Sequence, residues 1–299
     1  MLPFDWPSMK SMSTNFQLVS ANIQILWVLV LIGVTFFVTR RRPAVDLAAR
    51  APAPVLNRAE LLFIVGYAVA AQIVGYGLGR LIGIYPISLH LSGSVFGISA
   101  AVAPINVYAF VVYNFVVYAA IPYAIFRARG YSNEALSLKS ANLRGDLFLI
   151  VVILVLESAF ELIFEHSIFN LGAHQLLLGA AATLLIYFLG TSIPIMVFIY
   201  AILLPRYLKL TGSVVSTVIL GGVTYAALHL FEAWTLWDTP KNIVLSLIFL
   251  MFQYFGPGMV KSVLTVRTGN AWVHVWSYHS IAPHVRLDTP LIVKIFKIR

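Results

Sequence analysis

Glutamate and histidine residues interrupt the long apolar stretches of this sequence. Glu157, Glu161 and Glu165 recur every four residues, a spacing that places their side chains on one face of a helix. A charged side chain at the centre of a membrane-spanning helix is unfavourable by about 2.5–3.5 kcal/mol on insertion scales. Each carboxylate therefore needs a partner, contact with water or a functional role, and carboxylate chains in membrane helices commonly carry protons.

A second group of polar residues follows toward the C-terminus. His229 and Glu232 are three residues apart, so they are neighbours on one helical face. Histidine and glutamate at this spacing bind metals or transfer protons in helical bundles. His279 lies in a later apolar stretch and reaches the same layer if its helix is tilted or set inward. These three residues form a candidate polar site, unless they satisfy one another structurally or meet water at the outer interface.

The composition indicates that these polar groups belong to a membrane protein. Hydrophobic residues make up 60% of the 299 residues and charged residues 10%, whereas soluble domains carry about 25% charged residues. The apolar residues occur in blocks of about twenty, the length of a membrane-spanning helix. We therefore predict an all-α, multi-pass transmembrane bundle of about eight spans, with the lipid bilayer as its first partner and a bacterial-type plasma membrane as its location.

The net charge of +9 raises the alternative of a nucleic-acid-binding protein. The basic residues lie at the ends of apolar blocks, which is the positive-inside pattern, and no basic patch interleaves with stacking aromatics. Nucleic acid is therefore not an expected partner. The sequence has no cysteine, which excludes disulfides, thiolate metal sites and cysteine nucleophiles.

We expect an N-terminal tail at 1–21 and one membrane domain at 22–299. The domain starts with an anchor span at 22–39, followed by Arg40, Arg41 and Arg42 and a linker at 43–58. Glycines in the second span permit close approach of neighbouring segments. The stretch 80–104 is either re-entrant or interfacial, and His90 and His174 are interpreted as loop residues. The remaining spans are predicted at about 106–126, 147–164, 175–204, 212–234, 242–264 and 271–282. A kink or break is expected at Pro194 within the span 175–204, and a break at 256–258 within the span 242–264.

From about 106 to 284 the chain resembles the CAAX-protease and bacteriocin-processing (CPBP) family of intramembrane proteases. Its motifs are a glutamate pair followed by arginine, then aromatic-x-x-x-His, then a late histidine-containing helix. Tyr225 to His229 fits the second motif, and the stretch 268–272 followed by His279 resembles the third. The stretch 203–206, Leu-Leu-Pro-Arg, looks like the region that follows the first motif.

The first motif differs from the family. Ile195 and Met196 stand where the glutamate pair is expected, the arginine position falls at about Tyr200, and Pro283 replaces the usual asparagine four residues after His279. Either another carboxylate substitutes or catalysis has been lost.

The resemblance implies a peptidase that acts on a membrane protein or a lipidated peptide. His229 and His279 would bind a water molecule or a divalent metal such as zinc, and Glu232 or Glu161 would be the general base. The alternatives are an inactive scaffold that binds membrane partners and a transporter or proton relay that uses the glutamate stripe.

Overall fold

The computed structural model describes residues 14–91, 102–164, 167–232 and 234–299. Within these ranges the chain is all-α, as predicted, and contains no strand. We number the long helices α1 to α8. They are α1 (Thr14–Thr39), α2 (Pro54–Leu81), α3 (Pro104–Ala128), α4 (Leu143–Phe164), α5 (Ala173–Thr211), α6 (Val214–Ala227), α7 (Pro240–Thr268) and α8 (272–296). Short 3₁₀ helices occupy Ala48–Arg50 and Ser167–Asn170.

The surface of the bundle is apolar and much of its interior is polar, the reverse of a water-soluble protein. Large apolar side chains such as Leu62 in α2 and Phe37 in α1 are 76% and 63% exposed. His229 and His274 are fully buried. In lipid this arrangement is expected, since polar side chains face the bundle interior and apolar ones face the hydrocarbon.

Within the described ranges, five helices are long and apolar enough to cross a membrane, namely α1 from residue 22 onward, α2, α3, α5 and α7, and α6 is a shorter apolar helix. The count of about eight spans stays a prediction. Three predicted boundaries are wrong. The span expected to reach residue 234 ends as a helix at Ala227. The break expected at 256–258 is absent, because α7 continues through it after a π-helical stretch at Met251–Phe255. The last helix was expected to end near Ala282 but runs on to Phe296.

Helix α5 is the central element of the bundle. Its residues from Ile195 to Leu204 are all at most 5% exposed. Pro194 lacks a backbone N–H, so the regular hydrogen-bond ladder cannot continue past it. The helix accommodates this defect with π-helical stretches on both sides, at Phe188–Ser192 and Met196–Leu203. The predicted irregularity is therefore present, and it widens the helix without ending it.

A buried ion pair joins α2 to α5 at one end of the bundle. Glu60 and Arg206 are 3% and 1% exposed, and the Arg206 Nε atom donates to Glu60 Oε2 at 2.8 Å. The Tyr131 hydroxyl donates to the same carboxylate at 3.0 Å, and Arg129 lies 3.4 Å from it. Partial burial raises the pKa of the Tyr131 hydroxyl, while Arg206 opposes the shift, so the hydroxyl remains a donor to Glu60.

Further contacts at the same end connect the remaining helix termini. Arg42 after α1 pairs with Asp146 at the start of α4 at 2.8 Å. Asn270, just before α8, donates to the same carboxylate at 2.9 Å, and Arg267 near the end of α7 donates to the Thr39 carbonyl. Basic residues at the ends of apolar blocks, among them Arg42, Arg206 and Arg267, thus take part in the contacts at this end. That this end faces the cytoplasm stays a prediction from their charge.

Replacing Arg206 with methionine leaves the Glu60 carboxylate without its buried cation. Removing one partner of a buried ion pair typically costs about 3–5 kcal/mol. We expect a loss of about 3 kcal/mol in the free energy of unfolding, near the lower end of that range, because Tyr131 and Arg129 still contact Glu60. The measurement is denaturant unfolding in mixed micelles.

The exposed Arg58 in the same region of α2 provides the matched control. Arg58→Met should change the free energy of unfolding by less than about 0.5 kcal/mol, as surface substitutions usually do. Equal losses for the two variants would contradict the assigned role of the Glu60–Arg206 pair.

Candidate functional site

The segment that follows α2 enters the bundle interior instead of remaining at its surface. Residues 87–91 are all buried, each at most 8% exposed. The segment passes close to Gly75 of α2, where the Ile87 backbone N–H donates to the Gly75 carbonyl at 3.2 Å. A Cβ atom at Gly75 would lie 2.7 Å from the Ile87 carbonyl oxygen, which is closer than real contacts allow. The glycines of this span thus permit a close approach, although the partner is a loop.

Two side chains of neighbouring helices anchor this segment. The Asn114 amide of α3 donates to the Ser88 carbonyl at 2.8 Å. The Thr191 hydroxyl of α5 donates to the Leu89 carbonyl at 2.7 Å. Because irregular backbone is stable at membrane depth only when its polar groups are satisfied within the protein, these bonds fix the position of the residue that follows. That residue is His90. Residues 92–101 lie outside the described ranges, so the re-entrant or interfacial alternative stays open for them.

His229 lies in the turn that ends α6, and its ring is held in one orientation. Its Nδ1 atom lies 2.5 Å from the Tyr225 carbonyl oxygen. A carbonyl only accepts hydrogen bonds, so Nδ1 carries the proton and Nε2 keeps its lone pair. The ring also stacks on Tyr254 of α7, with centroids 3.8 Å apart. The Nε2 atom is buried and has no hydrogen-bond partner among the described residues.

His90 and Glu232 meet His229 in the bundle interior. The His90 Nδ1 atom lies 3.3 Å from Glu232 Oε1, and the rings of His90 and His229 have centroids 4.8 Å apart. One ligand atom from each of the three residues lies within 4.8 Å of the others. His90 is a loop residue as expected, but it is buried inside the bundle, which no pattern in the sequence predicts.

A second polar group adjoins the first and is carried by α8. The His284 Nδ1 atom lies 3.0 Å from Asp288 Oδ2, and its Nε2 atom lies 3.3 Å from His279 Nε2. The Tyr225 hydroxyl is 3.5 Å from the same His279 nitrogen. The His284 ring is 5.3 Å from that of His90. The two groups therefore form one continuous polar cluster, in which His279 neighbours His284 and Tyr225, and His229 neighbours His90 and Glu232.

The glutamates of α4 have partners elsewhere. Glu157 accepts a hydrogen bond from the Trp27 indole at 2.6 Å, and Glu161 forms an ion pair with Arg286. Glu161 was a candidate general base, and its carboxylate lies beside the Arg286 guanidinium. Glu165 lies outside the described residues.

The remaining predicted positions are less informative. His274 is fully buried and packs on Tyr200, with ring centroids 4.3 Å apart. His174 is exposed, and its Nδ1 atom lies 2.6 Å from the Arg299 carbonyl oxygen. Ile195 and Met196, at the positions of the family's glutamate pair, are at most 1% exposed and belong to the apolar core.

His90, His284 and Asp288 were missed as members of one site. His284 and Asp288 are four residues apart, the same one-face spacing that identified the α4 stripe, so this pair was detectable. It was overlooked because the last helix was expected to end before Asp288. No comparable signal exists for His90, since its position depends on the path of a loop.

A comparison of the chain with protein families, with curated proteins and with solved structures gives no match in any of the three.

The contact between Gly75 and the loop can be tested with two glycines of α2. Gly75→Ala should lower the free energy of unfolding, because the added methyl group meets the Ile87 carbonyl. A Cβ at Gly66 meets nothing within 4 Å, so Gly66→Ala should raise it by roughly 0.5–1 kcal/mol through helix propensity. Both are measured by unfolding in micelles. Stabilisation by both substitutions would show that the loop does not pack on Gly75.

Proposed function

We propose that the chain is a multi-pass membrane protein of the intramembrane peptidase type, similar in its chemistry to the CPBP proteases. The observation that supports this best is the buried cluster of His90, His229, Glu232, His279 and His284 in the bundle interior. Several histidines and a carboxylate that converge in an apolar surrounding are costly for folding. A site for hydrolysis at membrane depth accounts for that cost.

The missing glutamate pair has two replacements within the cluster. Glu232 lies 3.3 Å from His90 and provides a carboxylate beside His229. Asp288 accepts from His284 Nδ1, so the His284 Nε2 atom is left as an acceptor, as in a histidine general base oriented by a carboxylate. In this proposal either the Glu232 carboxylate or the His284 Nε2 atom removes the proton from the attacking water.

Stabilisation of the developing oxyanion requires hydrogen-bond donors aimed at the peptide carbonyl. The Tyr225 hydroxyl and the His279 ring are adjacent, at 3.5 Å, and both are buried. They are the best-placed donors for a carbonyl oxygen at this depth. The substrate class that fits an apolar surrounding is a membrane protein or a lipidated peptide.

An inactive scaffold is the second candidate function. Its support is the apolar pair Ile195 and Met196 at the first-motif positions, since both are buried in the core. A scaffold has no use for buried histidine nitrogens that lack a hydrogen-bond partner among the described residues, such as His229 Nε2 and His279 Nδ1, whereas a hydrolase does. The transporter alternative is weakened because Glu157 and Glu161 contact different partners, Trp27 and Arg286.

The peptidase proposal predicts that His229→Ala lowers cleavage of a membrane-embedded reporter peptide by at least about 100-fold, because His229 would hold the attacking water or its metal ion. The figure is the lower range for loss of one catalytic group. The assay uses purified protein in proteoliposomes, with a transmembrane peptide and a lipidated peptide as alternative substrates. Chromatographic monodispersity in detergent checks that the variant is folded.

Two variants act as controls. His174→Ala removes an exposed histidine and Glu161→Gln removes a carboxylate outside the cluster, and both should retain cleavage. Full activity of His229→Ala would exclude this residue from catalysis. Absence of cleavage by the unaltered protein on both substrates would favour the scaffold.

A further inference from the structure

His229 Nε2 is a buried nitrogen without a hydrogen-bond partner among the described residues. It belongs to a group of three residues, His90, His229 and Glu232, in which the His90 Nδ1 atom contacts Glu232 Oε1 at 3.3 Å. All three residues are at most 8% exposed. An unsatisfied buried polar group costs about 1–3 kcal/mol, so the open His229 nitrogen indicates that another group is bound beside it.

The orientation of His229 identifies the kind of group that is bound. Its Nδ1–H points to the Tyr225 carbonyl at 2.5 Å, which leaves the Nε2 lone pair free to bind a ligand. Histidines that bind metals nearly always donate their other N–H to a carbonyl or a carboxylate, because this fixes the tautomer and raises the basicity of the ligand. A water molecule is the alternative occupant, and a zinc measurement distinguishes the two.

The spacing of the three atoms fits a small cation. His90 Nδ1 and Glu232 Oε1 are 3.3 Å apart, and ligand atoms of a tetrahedral zinc ion with bonds of about 2.0–2.1 Å are separated by about 3.3–3.4 Å. One ligand atom from each of the three residues lies within 4.8 Å of the others, so all three side chains are within reach of a single ion. Two histidines, one glutamate and an open fourth position are a known ligand set for catalytic zinc.

We propose that His90, His229 and Glu232 bind one Zn²⁺ ion in the bundle interior. The ligand set differs from the sequence-based expectation of His229 with His279, because the His279 Nε2 atom contacts His284 and Tyr225 instead. His229 and Glu232 both follow the end of α6, and His90 comes from the loop after α2. The ion would therefore join segments that are far apart in sequence. The inference rests on the proposed function and deepens it by naming the ion that would hold the attacking water. With Glu232 bound to the ion, His284 is the general base of the two candidates. The binding test does not require cleavage.

The test measures zinc in the purified full-length protein after chelator treatment and reconstitution with Zn²⁺ alone. We expect about one zinc per chain by elemental analysis. His90→Ala and Glu232→Gln should each weaken zinc binding by at least about 10-fold, since loss even of groups that only orient ligands weakens metal affinity by 10–100-fold. His174→Ala, which removes an exposed histidine, should leave zinc binding unchanged.

A second readout covers variants that fail to fold. Co²⁺ substitution of the unaltered protein should give the intense visible absorption of a tetrahedral site, and added Zn²⁺ should remove it. Less than 0.1 zinc per chain after reconstitution, or equal zinc in His90→Ala and the unaltered protein, would overturn the inference. Bound zinc without cleavage would support the metal site and contradict the peptidase proposal. Cleavage without bound zinc would support the peptidase proposal and contradict the metal site.

Discussion

The organisation of this bundle depends on one constraint, namely that polar groups removed from water must find partners inside the protein. In an apolar environment an unpaired ionisable group is unstable by several kcal/mol. At one end of the bundle Glu60 and Arg206 meet this requirement as a buried ion pair. In the interior His90 contacts Glu232, whereas His229 Nε2 has no hydrogen-bond partner among the described residues. That open nitrogen marks the histidine cluster as a candidate site.

The cluster exists because irregular segments bring residues from distant parts of the chain together. The loop after α2 passes close to Gly75 and contains His90. The turn after α6 contains His229 and leads to Glu232. Helix α8 contributes His279 and His284 from a stretch that is π-helical over Val275–Val285. Such stretches are frequent at functional sites, because they reorient side chains within an otherwise regular helix. Regular helices alone would not bring these residues into one cluster.

The sequence predicted the all-α class and part of the cluster. Apolar block lengths locate helices well, because the bilayer imposes both their length and their internal hydrogen bonding. The His229 and Glu232 pair followed from helical spacing. His90 could not be found in this way, because no periodicity describes the path of a loop. The end of α8 was misplaced because Pro283, Pro290 and the charged residues near them resemble a helix terminus, yet the helix continues through them.

Ile195 and Met196 show how a family pattern and a structure can be combined. Their apolar character removes the expected carboxylates from α5, and the two buried carboxylates nearest the histidines come from other segments, Glu232 after α6 and Asp288 in α8. In the proposed peptidase the acids would therefore come from segments other than α5. The peptidase proposal therefore depends on the geometry of the cluster more than on the motif.

Locating zinc in crystals of the reconstituted protein, by anomalous diffraction on both sides of the zinc absorption edge, tests this account most directly. The account predicts one strong anomalous peak between His90 Nδ1, His229 Nε2 and Glu232 Oε1. A peak only at the surface, for example beside His174, or an ordered water molecule in place of an anomalous peak among the three side chains, would contradict it.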